Sequence, residues 1–333
     1  MEKKKVFNLI MVIVILIIMG TFPVLGCGGT PSSSSGGDNS TDSVTDAQTP
    51  GSSGKIERPD TSYDIPEYKE AVFSVDAAEG NEETAIDVSH ISEGYFGVWS
   101  ESDARLKLQV KKDELTFTYD LVYGKIDFFP LQDGDGEYFI RVMKNIEDTK
   151  YFELFSVTVD VHLNDEFTPF LYAGQYADYT EASECVKLAR SMAEKAADVH
   201  DLIAQVYDYV SGNVVYDYDK ADDITEKKIL AYIPAPDDTL KTGKGICFDY
   251  ASLAASMLRS QGVPTKIIFG YVSLEEPVYH AWNMFYTEDE GWVTVEFKTD
   301  PKKWNRMDLT FIANGSDDSF IGDGTNYADV YQY

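Results

Sequence analysis

Residues 242–264 read TGKGICFDYASLAASMLRSQGVP, and this stretch decides the fold of the C-terminal half of the chain. The glycines at its start interrupt regular structure, so a helix is predicted to begin at or near Cys247 and to end at Gly262, before Pro264. Its apolar face comprises Ala251, Ala254, Ala255 and Leu258. Cys247 is therefore expected in the first helical turn, where free N–H groups and the positive end of the helix dipole stabilise a thiolate.

Two strands are predicted downstream of this helix, Lys266–Val272 and Val278–Thr287, and His280 lies near the start of the second. A thiol nucleophile needs a base, and the base needs an acceptor that orients it. Acidic residues follow at Glu296 and Asp308, so the chain offers a cysteine, a histidine and an acid in that order. If residues 278–297 form a hairpin, side-chain parity permits Glu296 to face His280.

Four motifs agree in order with one family: GICFDYA at 245–251, LRSQGVP at 258–264, GY at 270–271 and HAWN at 280–283. Together they closely resemble the bacterial transglutaminase-like superfamily over about residues 200–315. The resemblance implies a papain-like arrangement with Cys247 as nucleophile and His280 as base. It also favours Asp308 as the acid: Asp308 follows Trp304 by four residues, as the family's aspartate often follows a tryptophan, and Thr310 matches the threonine of the Pro-Thr that comes after that aspartate.

The third residue of this predicted triad has an alternative. Leu309 stands where the family has a proline after the aspartate, and Trp292 and Glu296 have the same four-residue offset. Glu296 therefore remains the alternative acid. For the oxyanion hole, we expect the backbone N–H of Cys247 and a second donor from the stretch Tyr216–Tyr218.

The preceding part of the chain is predicted to be mostly β-structure. Apolar and polar residues alternate at 106–111, 115–121 and 155–163, and turn signals such as Asp133–Gly136 separate these runs. About seven short strands predict an antiparallel β-sandwich at residues 63–170. Near residue 178 the period changes to that of a helix: Cys185, Leu188, Ala189, Met192, Ala196 and Val199 share one face, with Asp178 or Thr180 as its cap. The predicted fold class is α+β, with a transglutaminase-like domain at 171–333 after the β-sandwich.

The N-terminus has the layout of a secretory signal. Basic Lys3–Lys5 precede an unbroken apolar run, Leu9–Met19, which is short for a membrane span. Val24, Gly26 and Cys27 end this segment in a way that resembles a bacterial lipobox, which implies cleavage after residue 26 and lipid attachment to Cys27. Residues 27–62 are rich in serine and glycine and are predicted to be a flexible tether.

Composition excludes several classes of function. The 57 acidic and 28 basic residues give a net charge of −29, which repels nucleic acid and anionic headgroups. Three cysteines without a CxxC motif do not provide a disulfide scaffold or a cysteine-rich zinc site. We therefore expect no cofactor, no metal and no nucleic-acid partner.

The sequence therefore predicts a lipid-anchored thiol enzyme on the extracytoplasmic face of a bacterial membrane. It is expected to attack protein or cell-wall peptide amides through a thioester, which is then resolved by hydrolysis or acyl transfer. The alternative is a catalytically inactive cell-envelope scaffold, because some members of the superfamily have lost catalytic residues.

Overall fold

The computed structural model describes residues 62–273, 277–293, 297–316 and 324–333. The signal segment, Cys27, almost all of the predicted tether and Glu296 lie outside the described residues. Within the described ranges, no helix is long and apolar enough to cross a membrane.

The N-terminal part consists of two antiparallel four-stranded sheets. The first has the order β1-β2-β3-β6 and the second the order β5-β4-β7-β8. The strands are β1 Glu79–Gly80, β2 Thr84–Asp87, β3 Tyr95–Ser100, β4 Leu106–Lys112, β5 Leu115–Asp120, β6 Lys125–Pro130, β7 Gly136–Glu147 and β8 Lys150–Val161.

The buried faces of these two sheets contribute to the core. Ile86, Phe96 and Val98 of the first sheet and Leu108 and Ile140 of the second are fully buried. In the run 106–111 the alternation therefore separates core from solvent, as predicted, whereas Leu115 in the second run is exposed and only Val161 of the apolar residues in the third run is fully buried. The turn at Asp133–Gly136 joins β6 to β7, which lie in different sheets. It is thus a crossing between sheets and does not join two paired strands.

Six helices lie in the described part of the C-terminal region. They are α1 Glu184–Ala193, α2 Val199–Asn213, α3 Tyr218–Thr225, α4 Pro236–Thr242, α5 Cys247–Arg259 and α6 Leu309–Ala313. The predicted single stripe from Cys185 to Val199 is in fact divided between α1 and α2, because Asp198 caps a new helix there and accepts a hydrogen bond from the Asp201 N–H.

The start of α1 also differs from the prediction. Neither Asp178 nor Thr180 caps it; the N-cap is Ser183, which makes no capping bond through its side chain. Asp237 of α4 instead accepts hydrogen bonds from the backbone N–H groups of Glu184 at 3.0 Å and Cys185 at 2.9 Å. A carboxylate distant in sequence therefore satisfies the free donors of this helix.

A third antiparallel sheet has the order β15-β12-β11-β16. Its strands are β11 Thr265–Val272, β12 Val278–Thr287, β15 Lys303–Met307 and β16 Tyr327–Gln332. Two further pairs of short strands lie outside this sheet. They are β9 Val215–Tyr216 with β10 Lys244–Gly245, and β13 Gly291–Trp292 with β14 Lys298–Thr299. The partners of β12 are β11 and β15. The hairpin that would have placed Glu296 opposite His280 is therefore absent from the described sheet.

Helix α5 lies at the centre of this domain, and all thirteen of its residues are buried. Asn283 of β12 fixes the helix on the sheet by donating from Nδ2 to the Ala251 carbonyl at 2.9 Å. Ser256 satisfies its hydroxyl within the helix, donating to the Ser252 carbonyl at 2.8 Å. Small residues in α5 thus permit close packing on both sides.

Candidate active site

Cys247 is the first residue of α5, as the sequence predicts. The parallel pairing of β9 with β10 places Gly245 beside Tyr216, immediately before the helix. The Ile246 N–H donates to Asp249 Oδ2 at 2.8 Å, so a side chain from the first turn holds the residue before the cysteine. The Cys247 side chain is nearly buried, at 2% exposure. Its thiol therefore lies at the positive end of the helix dipole, beside the free N–H groups of the first turn.

A buried polar network supports this helix start. Lys220 Nζ of α3 donates to Asp249 Oδ2 at 2.9 Å and to the Tyr232 hydroxyl at 2.8 Å. The Tyr232 hydroxyl in turn donates to Asp249 Oδ1. The sequence analysis does not identify Lys220 or Tyr232 as partners of this helix start, since no local spacing marks them. The network connects α3 and the segment before α4 to the turn that presents Cys247.

His280 and Asp308 form a buried pair. His280 Nε2 lies 2.8 Å from Asp308 Oδ2, and both side chains are fully buried. His280 is opposite Gly270 on β11. A side chain at Gly270 would collide with the Trp282 ring and the Ala328 carbonyl, so glycine is needed for this close approach.

Asp308 is the N-cap of α6, and this explains the departure from the family's pattern. Asp308 Oδ1 accepts the Phe311 N–H at 3.2 Å. Leu309 therefore occupies the first helical position, where proline is also favoured. Because Oδ1 caps the helix, Oδ2 is directed at His280. This arrangement does not require a proline at position 309.

The charges around His280 favour its protonated form. Burial lowers the pKa of His280, but the Asp308 charge, the Cys247 thiolate and hydrogen bonding to both raise it from 6.5 to about 10. Because Nε2 is taken by Asp308, Nδ1 is the nitrogen left for the thiol; Nδ1 is buried and has no other hydrogen-bond partner among the described residues. The arrangement is suited to a thiolate–imidazolium pair.

Tyr216 pairs with Gly245, two residues before Cys247. Burial raises the pKa of the Tyr216 phenol well above 10, and the Cys247 charge adds to this rise. The neighbouring backbone donors are used elsewhere, since the Val215 and Asp217 N–H groups donate to Gly243 and Gly245 at 2.9 Å. The sequence predicts an oxyanion donor from the stretch Tyr216–Tyr218. Within that stretch, Tyr216 is the residue that interacts electrostatically with Cys247.

Sequence reasoning missed one further residue at the site. The Tyr327 hydroxyl donates to Asp308 Oδ2 at 3.0 Å. Tyr327 is on β16, and no sequence motif distinguishes it from the many other tyrosines. No cluster of three or more His, Cys, Asp or Glu side chains that could hold a metal ion occurs in the parts of the chain that the structure describes.

One family model matches part of this chain. Residues 186–308 match the family model described as the transglutaminase-like superfamily, a range that includes Cys247, His280 and Asp308. A UPF0252 protein of Methanocaldococcus jannaschii is 32% identical over 92 residues, which are 26% of this chain and 26% of that protein. The matched region thus spans about a quarter of that relative's length.

Two solved structures share weaker likeness. One, from Cytophaga hutchinsonii, is described as a "Putative Cysteine Protease"; it is 16% identical with a TM-score of 0.38, over 72% of this chain and 83% of that chain. The other, red sea bream transglutaminase, is 13% identical with a TM-score of 0.27, over 65% of this chain and 48% of that chain. Superposition over the whole chain is poor in both cases, so the assignment rests on the family match.

Proposed function

Because residues 186–308 form a transglutaminase-like domain, we propose that this protein is a thiol enzyme that cleaves or transfers amide groups of proteins or peptides. The observation that carries the proposal is the buried His280–Asp308 pair, 2.8 Å apart, beside a cysteine at the head of α5. A base held in a fixed orientation increases the thiolate fraction and so activates a cysteine as a nucleophile at neutral pH.

The first half of the reaction forms a thioester. The Cys247 thiolate attacks the amide carbonyl carbon, the C–N bond breaks, and the His280 imidazolium gives its proton to the departing nitrogen. The amine or ammonia leaves, and the acyl group remains on the cysteine sulfur. The backbone N–H of Cys247 and the Tyr216 hydroxyl are the groups we propose as donors to the oxyanion.

The second half of the reaction restores the enzyme. Neutral His280 takes a proton from water or from an incoming amine, the activated nucleophile attacks the thioester, and the thiolate leaves. Water yields a carboxylic acid, and an amine yields a new amide. We favour hydrolysis, because no lysine-binding feature is evident near Cys247.

Capture of the acyl-enzyme tests this function. The protein is incubated with peptides from a cell-envelope extract, quenched in acid and analysed by mass spectrometry for an adduct on Cys247. We expect an adduct that hydroxylamine releases. The adduct should be absent in Cys247→Ala and present in Cys185→Ala, because Cys185 is fully buried with a thiol pKa raised by burial and by Asp237. An adduct that persists in Cys247→Ala would refute the assignment of the nucleophile.

The alternative function is a catalytically inactive envelope scaffold. The near-complete burial of Cys247 and His280 is the observation that favours it, since a substrate must reach the sulfur. If no envelope peptide acylates Cys247 although the thiol is reactive, a binding role is supported.

We also propose that the protein is anchored on the extracytoplasmic face of the membrane through a lipid on Cys27. The support is the sequence from the apolar run to Val24, Gly26 and Cys27. Cys27→Ser should release the protein from the membrane fraction into the soluble fraction. A Cys27→Ser protein that stays in the membrane fraction would contradict the anchor.

A further inference from the structure

Tyr327 reaches the acid–base pair from the edge of the third sheet. It is the first residue of β16, whose partner in the sheet is β11, and it lies opposite Val272 in that pairing. The ring is partly buried, and its hydroxyl donates to Asp308 Oδ2 at 3.0 Å. A residue 19 positions after Asp308 thus touches the carboxylate that orients His280.

The two carboxylate oxygens of Asp308 accept hydrogen bonds from different groups. Oδ1 caps α6 by accepting the Phe311 N–H at 3.2 Å. Oδ2 accepts from two donors, His280 Nε2 at 2.8 Å and the Tyr327 hydroxyl at 3.0 Å. Because both donors use the same oxygen, the negative charge available to the imidazole is reduced by the hydrogen bond from the phenol.

The surroundings of Tyr327 keep it in the role of donor. Burial raises its phenol pKa, and the Asp308 carboxylate raises it further, so the hydroxyl retains its proton. The Arg306 guanidinium lies 4.8 Å from the ring centroid and opposes this rise, which makes the hydroxyl a stronger donor. The Trp282 ring packs on Tyr327 at 4.8 Å in an edge-on arrangement, and Arg306 is held by Asp329 at 3.0 Å.

We propose that Tyr327 is a positioning residue of the active site, whose hydroxyl shares Asp308 Oδ2 with His280 and thereby sets how firmly Asp308 holds the imidazole proton. The inference rests on the proposed function, since it assigns a role within the same site. It names a residue of β16, a strand outside the matched range 186–308, as part of the acid–base machinery.

The charged and titratable groups around His280 determine how loss of the Tyr327 hydroxyl should affect the imidazole. Cys247 faces the ring from α5 and Asp308 from the start of α6, with Tyr327 of β16 and Arg306 of β15 behind Asp308. Without the phenol hydroxyl, the charge on Oδ2 acts on His280 alone. The imidazolium is then held more tightly, so it releases its proton at higher pH and gives it less readily to a leaving nitrogen.

Histidine NMR tests this directly, because the chain has only four histidines. The full chain is labelled with ¹⁵N-histidine, His280 is assigned by comparison with His280→Ala, and its titration is followed from pH 6 to 11. In Tyr327→Phe we expect the His280 midpoint to move to higher pH by about half a unit or more. Tyr331→Phe, on the same strand, is the matched control and should leave the midpoint unchanged, since its ring packs on Phe117, away from Asp308.

A second variant covers the case in which Tyr327→Phe does not fold. Site-specific replacement of Tyr327 by 3-fluorotyrosine retains the hydroxyl but makes the phenol more acidic and thus a stronger donor. The His280 midpoint should then move in the opposite direction, to lower pH. Opposite shifts in the two variants cannot arise from a loss of packing, which would not depend on the acidity of the phenol.

The outcomes separate this inference from the proposed function. If His280 of the unmodified chain titrates near 6.5, the thiolate–imidazolium pair is not assembled and the proposed function fails with it. If it titrates near 10 and neither Tyr327 variant moves the midpoint, the proposed function stands and the role of Tyr327 is overturned. A shift in Tyr331→Phe equal to that in Tyr327→Phe would also overturn it.

Discussion

Asp308 both caps helix α6 and contacts the imidazole of His280. One carboxylate oxygen caps α6, and the other holds His280. The family's proline is replaced by Leu309, yet the cap is intact, because any residue that suits the first helical turn can follow an N-cap aspartate.

The variant Asp308→Asn separates the two roles of this carboxylate, which are to cap α6 and to hold His280. Asparagine caps a helix about as well as aspartate, so we expect the chain still to fold cooperatively and to lose only the stability that the charge pair with His280 provides. It has no charge to hold an imidazolium, so acyl transfer should fall by at least about 100-fold. Turnover and circular dichroism melting measure the two effects.

Glu296→Gln is the control for this experiment. A small effect at Glu296 with a large effect at Asp308 supports the assignment. The reverse pattern would show that Glu296 is the acid.

The raised pKa of His280 predicts how stability depends on pH. A histidine with a pKa near 10 in the folded protein and 6.5 when unfolded binds its proton more tightly when folded. This contribution to the free energy of unfolding is complete below pH 6.5 and is lost as the pH rises toward 10. Urea unfolding between pH 9 and pH 10.5, above the range in which a free cysteine of the unfolded chain titrates, should therefore show a steeper loss of stability in the unmodified protein than in His280→Gln. Parallel curves for the two proteins would show that His280 is not held as an imidazolium.

At the scale of elements, the buried end of α5 depends on one cation. Arg259 is 2% exposed and donates to the main-chain oxygens of Thr265 at 2.7 Å, Tyr172 at 3.2 Å and Tyr333 at 2.7 Å. It connects the end of α5 to β11, to the chain before α1 and to Tyr333, which follows β16. Three acceptors thus receive hydrogen bonds from one guanidinium.

Arg259→Met should destabilise the protein strongly. Methionine fills much of the space but removes the guanidinium that donates to the Thr265 and Tyr172 oxygens and one of the two donors to the Tyr333 oxygen, at a cost of about 3–5 kcal/mol in the free energy of unfolding. Arg190→Met on α1 is the matched control, since Arg190 is half exposed and its ion pair with Glu194 is long, at 3.8 Å. Its effect should stay below about 0.5 kcal/mol. Equal effects of the two changes in urea unfolding would contradict this account of Arg259.

The sequence correctly predicts the elements for which the apolar pattern and the neighbouring glycines indicate the same boundaries. β12 runs over Val278–Thr287 and α5 begins at Cys247, as the apolar pattern and the glycines indicate. Prediction fails where residues distant in sequence determine the structure: Asp237 caps α1, β15 pairs with β12, and Gly291–Trp292 pairs with β14. Tyr327 is unpredictable for the same reason, since its contact with Asp308 depends on how β16 returns to the sheet.

At the scale of the whole molecule, the two predicted units are connected by specific contacts. The Tyr63 hydroxyl donates to the Gln261 carbonyl at 2.8 Å, and Tyr333 donates to the Phe128 carbonyl at 3.1 Å. Gln332 Nε2 donates to the Gln132 carbonyl at 2.9 Å. The end of the chain therefore rests on the N-terminal sheets, while the chain before them runs back to α5.

We expect residues 171–333 to fold as a cooperative unit, because α1 to α6 and the third sheet contain their own core. The fragment should be less stable than the full chain, since it lacks the partners of Tyr333 and Gln332 and the contact from Tyr63. Urea unfolding of the fragment and the full chain measures the difference. A molten or insoluble fragment would show that the N-terminal sheets are an obligate part of one core.

The central claim is that His280, oriented by Asp308, activates Cys247, and alkylation rates test it most directly. The folded protein is treated with iodoacetamide at pH 7, and peptide mass spectrometry follows Cys247 and the buried Cys185 in the same sample, in the unmodified protein and in His280→Ala. We predict that Cys247 reacts at least about 100-fold faster than Cys185 and faster than a free cysteine, and that His280→Ala removes most of this advantage, because the thiolate loses its counter-ion. A Cys247 that reacts no faster than a free cysteine, or at the same rate with and without His280, would contradict the account.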